Sequence, residues 1–157
     1  MKLVATVGTT GTFSRFSRLL TEVADARPDL EIVFQAGRGT LPKVRGAVAF
    51  LPREVLVQHM ASATLVVCHG GSGSVRDALR ACGNVAVMPR RAGAGEGVVD
   101  DHQLDLARAL DARGLVRVVS ESAEVLRLLD GTQNRLARRE SALPAAVVRT
   151  LEELMRR

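Results

Sequence analysis

The stretch Leu65–Cys82, LVVCHGGSGSVRDALRAC, constrains this chain more than any other. Leu65, Val66, Val67 and Cys68 form a continuous apolar run, the pattern of a short strand buried on both faces of a parallel sheet. His69 ends the run. Gly70, Gly71 and Gly73 then permit a tight turn and close approach of a ligand to the backbone. Val75, Ala78, Leu79 and Cys82 recur at i, i+3, i+4 and i+7, which marks one face of a helix. A strand that becomes a helix through glycine leaves the N–H groups of the first helical turn without partners. With the helix dipole they attract an anion, and the hydroxyls of Ser72 and Ser74 add donors, so a phosphate is the natural guest. The plainer alternative is that Ser72 or Ser74 caps the helix and the glycines only turn the chain.

At 157 residues the chain fits one domain, and a domain of this size buries roughly 70% of the surface its unfolded chain exposes. No disulfide or metal staple is required. Cys68 falls in a strand and Cys82 on an apolar helix face, with no CxxC or Cys/His ligand spacing, so both read as buried thiols in a reducing cytoplasm. The apolar part of MKLVATVGTT is too short for a signal peptide, and no run approaches the ~18 apolar residues of a membrane span. Net charge is +5, yet the arginines are dispersed, and with four Phe, no Trp and no Tyr there is little to stack bases on. A nucleic-acid partner is not expected.

Strands and helices alternate along the chain. Lys2–Val7 reads as a first strand, followed by the turn Gly8-Thr9-Thr10-Gly11-Thr12 and a helix with Phe16, Leu19, Leu20, Val23 and Ala24 on one face. Glu31–Gln35 and Ala47–Phe50 are the next strands, and Pro52 opens a helix around Glu54–Ala61 that feeds the central strand. Asn84–Met88 is a fifth strand, cut off by Pro89-Arg90-Arg91. The small-residue segment Ala92–Val99 has the composition of a mobile loop beside a site. A helix follows from Asp100-Asp101-His102-Gln103 to Gly114, with Asp100 as its cap. Val116–Val119 is a sixth strand, and a further helix ends at Asp130-Gly131-Thr132. Residues 143–157 read as a terminal amphipathic helix, with Val147, Val148, Leu151, Leu154 and Met155 on one stripe. Phe50 reads as a core residue, and His59 has no assigned role.

This alternation implies a single Rossmann-like α/β domain over residues 1–157. Its mostly parallel sheet carries helices on both faces, with a ligand crevice at the carboxyl ends of the strands. The dinucleotide fingerprint is incomplete, because Gly71-Ser72-Gly73 lacks the third glycine and the second strand ends in Gln35 rather than an acid. No glycine turn is followed by Lys-Ser or Lys-Thr, and no GxSxG elbow is present.

The series HGGSGSVRDAL, then MPRR, a small-residue loop with GEG, and DDHQ resembles the C-terminal, donor-binding half of family 28 glycosyltransferases of the GT-B type. Within that family it is most similar to the short catalytic subunits of two-chain UDP-sugar transferases. Those are the cytosolic chain of the dolichyl-diphosphate N-acetylglucosaminyltransferase and its bacterial exopolysaccharide counterparts. The likeness runs from VGTTGTF to ARALDARGL. It implies a UDP-sugar donor, no cofactor and no metal, and this chain has no DxD.

By position, the resemblance places Gly70, Gly71, Ser72, Gly73 and Ser74 along the diphosphate and His69, the expected catalytic residue, facing the phosphates. Thr9, Thr10 and Gly11 approach the diphosphate from the first turn. Leu51 offers backbone bonds to uracil. Asp77 stands where the family usually has a ribose-gripping glutamate, one methylene longer. Asp101, His102 and Gln103 fall where sugar hydroxyls are read, and Arg90 or Arg91 adds charge near the leaving diphosphate. Each has a plainer role: a backbone-bonded strand-end histidine for His69, an exposed helix charge for Asp77, a solvated first-turn residue for Gln103, and a basic turn for Arg90 and Arg91.

The resemblance further implies an inverting transfer of a sugar, of the N-acetylglucosamine, glucose or glucuronate type, to a lipid-diphosphate-linked acceptor. That acceptor would be held by a membrane-associated partner subunit, which recruits this cytoplasmic chain to the membrane. The alternatives are a non-catalytic UDP-sugar-binding module and a nucleotide-sugar epimerase-like domain.

Overall fold

The structure, a computed structural model, describes residues 1–9, 13–38 and 41–133. In chain order its elements are β1 (Lys2–Thr6), α1 (Ser14–Ala26), β2 (Glu31–Gln35), β3 (Ala47–Val48), α2 (Arg53–Ala61) and β4 (Leu65–Cys68). They continue with α3 (Ser72–Ala81), β5 (Val85–Val87), α4 (His102–Asp111), β6 (Arg117–Val118) and α5 (Ser122–Gln133). The strands form one sheet in the order β3-β2-β1-β4-β5-β6, and every pairing is parallel. Val4 of β1 pairs with Val33 on one side and Val66 on the other.

Period-2 alternation explains why the central strands are apolar throughout. Leu3, Ala5, Val67 and Ala86 point into a core shared with Phe16, Leu20 and Val23 of α1 and Val125 and Leu129 of α5. Val4, Val66, Cys68, Val85 and Val87 point the other way, onto Met60 of α2, Val75 and Leu79 of α3 and Leu110 of α4. Both cysteines are free and buried, and burial pushes the Cys68 thiol up to about 12. Among the described residues no helix is long and apolar enough to cross a membrane.

The connection β3-α2-β4 carries the chain back to the far side of β1. Strands β1 and β4 are therefore neighbours whose following segments leave in opposite directions, and a crevice opens at their carboxyl ends. Strands β1, β5 and β6 are each one or two residues shorter than the sequence expectation, and two further boundaries differ for reasons the packing shows. Strand β3 stops at Val48 rather than Phe50: past the Gln35–Val48 pair the two segments are joined by the Ala36 N–H to the Val48 carbonyl and the Gly37 N–H to the Ala49 carbonyl, and these bonds end before Phe50. Helix α5 runs through Gly131 to Gln133, since burial of Val125 and Leu129 outweighs the roughly 1 kcal/mol that one helical glycine costs. Thr10, Gly11 and the expected helix 143–157 lie outside the described residues.

Candidate functional site

A crevice of about 520 Å³ lies at the carboxyl ends of β1 and β4, walled by the turn after β1, the segment entering α2, the first turn of α3 and the start of α4. Of the sequence-predicted residues, Thr9, Leu51, His69, Gly71, Ser72, Gly73, Ser74, Asp77 and Gln103 line it. A smaller cavity of about 200 Å³ lies at the opposite, amino ends of β4, β5 and β6 and contains none of them.

The first turn of α3 faces the crevice with its donors uncapped. Gly71 is the N-cap and has no side chain with which to cap the turn, and the turn holds no acid. The first backbone bond runs from the Val75 N–H to the Gly71 carbonyl at 3.0 Å, so the N–H groups of Ser72, Gly73 and Ser74 have no acceptor within the helix.

His69 sits directly before this turn, 9% exposed, with its N–H donating to the Thr6 carbonyl at 3.0 Å. Its ring is wedged between two glycines. A Cβ on Gly8 would stand 2.6 Å from Cε1, and one on Gly71 would overlap Nε2. Gly8 also has φ of +79°, which favours glycine independently. Burial, and then the charge of Arg90, push the His69 pKa down to about 4, so the ring is neutral at neutral pH. Its Nδ1 has no hydrogen-bond partner.

Asp77 of α3 accepts a bidentate pair from Arg53 of α2, at 2.8 Å from Nε and 2.7 Å from Nη2. Gln35, 3% exposed at the end of β2, donates from Nε2 to Thr6 Oγ1 at 3.1 Å and to the Gly8 carbonyl at 3.2 Å. Its Oε1 accepts the Leu51 N–H at 2.9 Å. Of the Leu51 backbone groups expected to meet uracil, the N–H is thus engaged by Gln35. Phe50, expected in the core, is 61% exposed and lines the crevice, because it lies past the end of β3 where no helix covers it.

A family model of the glycosyltransferase family 28 C-terminal domain matches residues 3–152. The chain belongs to that family. No curated protein matches it. The family 28 domain is similar in fold to the glycotransferase of kitacinnamycin, at TM-score 0.61 and 20% identity over 99% of this chain and 38% of that one. It is also similar to the glycosyltransferase SnogD from Streptomyces nogalater (TM-score 0.54, 26% identity, 83% of this chain and 34% of that one). A further similar structure is MurG of Acinetobacter baumannii (TM-score 0.54, 17% identity, 100% and 52%). The chain therefore spans about a third to a half of those proteins, and its fold is one Rossmann-like half of a GT-B architecture.

Several expected site residues of this family 28 domain have other duties. Gly70 does not line the crevice. It packs on α4, where a Cβ would stand 2.7 Å from the Gln103 carbonyl oxygen. Arg90 is 2% exposed and does not line the crevice either, its guanidinium being spent on backbone carbonyls beneath it. Asp101 Oδ1 accepts the Ala92 N–H at 2.9 Å and ties down the loop; Asp101, not the expected Asp100, is the N-cap of α4, and Asp100 meets the helix start from one residue earlier, its Oδ1 accepting the His102 N–H at 3.1 Å. The His102 side chain is 88% exposed beside Asp100, outside the crevice. Gln103 does reach it, and its Oε1 accepts the Arg90 N–H at 3.3 Å, which leaves its amide N–H₂ as the outward donor.

The loop after β5, expected to be mobile, is fastened by Glu96, which is 8% exposed. Its carboxylate accepts Arg15 Nε at 2.8 Å, Arg15 Nη2 at 3.0 Å and the Arg91 N–H at 2.7 Å. Burial pushes the Glu96 pKa up, but the bonds from Arg15 and Arg91 outweigh it and hold the group below the usual range. Gln35, Phe50, Arg53, Arg15 and Glu96 were not read as site residues from sequence. Only the lone carboxylate in a glycine-rich loop carried any signal, because the partners of the other four lie on elements distant in the chain. Among the described residues no cluster of His, Cys, Asp and Glu suits a metal ion.

Proposed function

We propose that this chain is the donor-binding catalytic subunit of a UDP-sugar-dependent, inverting, metal-independent glycosyltransferase. It transfers a sugar of the N-acetylglucosamine, glucose or glucuronate type to a lipid-diphosphate-linked acceptor held by a membrane-associated partner chain, which brings it to the membrane surface. The observation that carries this reading is the uncapped, acid-free first turn of α3, opening with His69 onto the crevice between β1 and β4 of a family 28 domain.

In this reading the N–H groups of Ser72, Gly73 and Ser74 and the hydroxyls of the two serines bind the diphosphate, which Thr9, Thr10 and Gly11 also contact. His69 is the residue nearest the reacting bond and acts as a neutral N–H donor to the departing UDP. Phe50 and Leu51 flank the base, Asp77 takes the ribose hydroxyls, and Gln103, backed by the Asp101–His102 segment, meets the sugar. A histidine with a pKa near 4 is a poor acceptor for the proton of an attacking hydroxyl at neutral pH. Asp77 is already paired with Arg53. This supports a general base supplied from outside the domain.

Isothermal titration with UDP, UDP-GlcNAc, UDP-glucose, UDP-glucuronate, NAD and ATP tests the donor class. Binding of the uridine nucleotides, unchanged in excess EDTA, is the expected result. Tighter binding of NAD or ATP would overturn the reading, and loss of UDP affinity in EDTA would reveal a metal. His69→Ala and Asp77→Ala are each expected to weaken UDP by roughly ten- to a hundredfold in folded protein, the scale of one or two lost hydrogen bonds. Unchanged affinity in both would return these residues to purely structural roles.

A further inference from the structure

Arg90 heads the fully buried side chains by size, and it lies under the crevice rather than in it. Its Nη1 donates to the Glu96 carbonyl at 2.8 Å, its Nη2 to the Val7 carbonyl at 3.1 Å, and its guanidinium stands 5.3 Å from the centroid of the Phe13 ring. Val7 immediately precedes Gly8, one of the two glycines that hold the His69 ring. The Arg90 N–H also orients Gln103. The β1 turn, the entry to α1, the loop after β5 and the start of α4 thus meet on one residue.

We infer that Arg90 is a positioning residue of the donor site, tying the Val7–Gly8 turn to the Glu96 loop beneath His69 and so fixing that ring at one place between Gly8 and Gly71. The inference rests on the crevice being the donor site proposed above. A guanidinium suits the task because its planar fork bonds two carbonyls at once in fixed directions, which an ammonium cannot reproduce. The charge has a second consequence. Gly8, Gly71 and, from α4, Gln103 bring no charge to the ring, the Thr6 carbonyl favours its protonated form, and Arg76 and Asp77 lie further along α3 on the same crevice, whereas Arg90 acts on the ring as a cation and adds to the effect of burial in keeping it neutral. A neutral ring keeps the same protonation state across the physiological pH range, so the phosphates meet one donor geometry.

The test is NMR titration of the His69 ring in ligand-free wild type, Arg90→Lys and Arg90→Met, paired with UDP titration at pH 8, where the ring is neutral in all three. Arg90→Met is expected to raise the His69 pKa above about 4, burial still holding it below its ordinary value, and Arg90→Lys by less because it keeps the charge. Both should lose about tenfold in UDP affinity per folded molecule. If Arg90→Met does not fold, Arg90→Lys decides on affinity and on the His69 ring shifts. Lowered thermal stability with an unchanged His69 titration and unchanged UDP affinity would overturn the inference, leaving Arg90 a packing residue. Should wild type itself bind no UDP, the donor reading fails, while the His69 titration still decides whether Arg90 governs the ring.

Discussion

Gly71→Val is expected to lower UDP affinity by more than about a hundredfold, roughly 2.7 kcal/mol, while the sheet remains folded. The backbone of Gly71 is ordinary, with φ of −68°, so no strain argument applies. The cost is steric. A Cβ there overlaps His69 Nε2, and the ring cannot retreat because Gly8 closes its other side. The branched side chain must therefore displace either the imidazole or the first turn of α3, and both belong to the proposed phosphate cradle. Gly73 makes the contrast, since among the described residues a Cβ there meets nothing outside its own helix within 4 Å although the residue lines the same crevice. In Gly73→Val any loss of affinity reports contact with the nucleotide itself. Calorimetric titration of both variants, with circular dichroism to confirm folding, checks the result. Wild-type affinity in Gly71→Val would remove the phosphates from this turn.

The second large effect concerns turnover. The isolated chain is expected to bind donor but transfer no measurable sugar, and a membrane-associated acceptor-binding partner should raise transfer by about a hundred- to ten-thousandfold, the usual contribution of a positioned general base. The argument comes from the crevice: its histidine is held neutral with a pKa near 4, and its aspartate is engaged by an arginine. Transfer assays on a lipid-diphosphate acceptor, with the chain alone and with a membrane-associated acceptor-binding partner chain, measure the gain. Truncation after Ser141 removes the apolar stripe that the sequence places over Val147–Met155: abolished association with UDP binding nearly intact assigns the stripe to the partner, whereas stability and UDP binding falling together assigns it to this domain's own core. Robust transfer by the purified chain alone would overturn the two-component reading.

The parts of this protein legible in its sequence are those set by local periodicity. Leu65–Cys68 is a strand and Val75–Leu79 a helical face because burial on two sides demands a continuous apolar run and burial on one side demands a repeat near 3.6. Glycine between them forces a turn at the carboxyl edge of the sheet, and with it an exposed set of helix N–H groups. The alternation of such units dictates a parallel sheet and, through right-handed crossovers, the place of the crevice.

What the tertiary structure alone decided is which polar side chains face that crevice and which support it from below. Arg90 and Arg91 are adjacent and chemically identical, yet one is buried under the site and the other is exposed, because only Arg90 lies where the carbonyls of Val7 and Glu96 converge. Arg15 finds Glu96 across 81 residues, and Gln35 finds the Leu51 N–H only once β1, β2 and the entry to α2 have been brought together. Phe50 is exposed because it lies just past the last backbone bond between the two segments, Gly37 N–H to the Ala49 carbonyl, a limit set by its partner segment rather than by its own neighbours. Apolar burial follows a local repeat because any neighbouring apolar surface satisfies it. A hydrogen bond needs one donor aimed at one acceptor, and here those acceptors are assembled by the crossovers of the sheet.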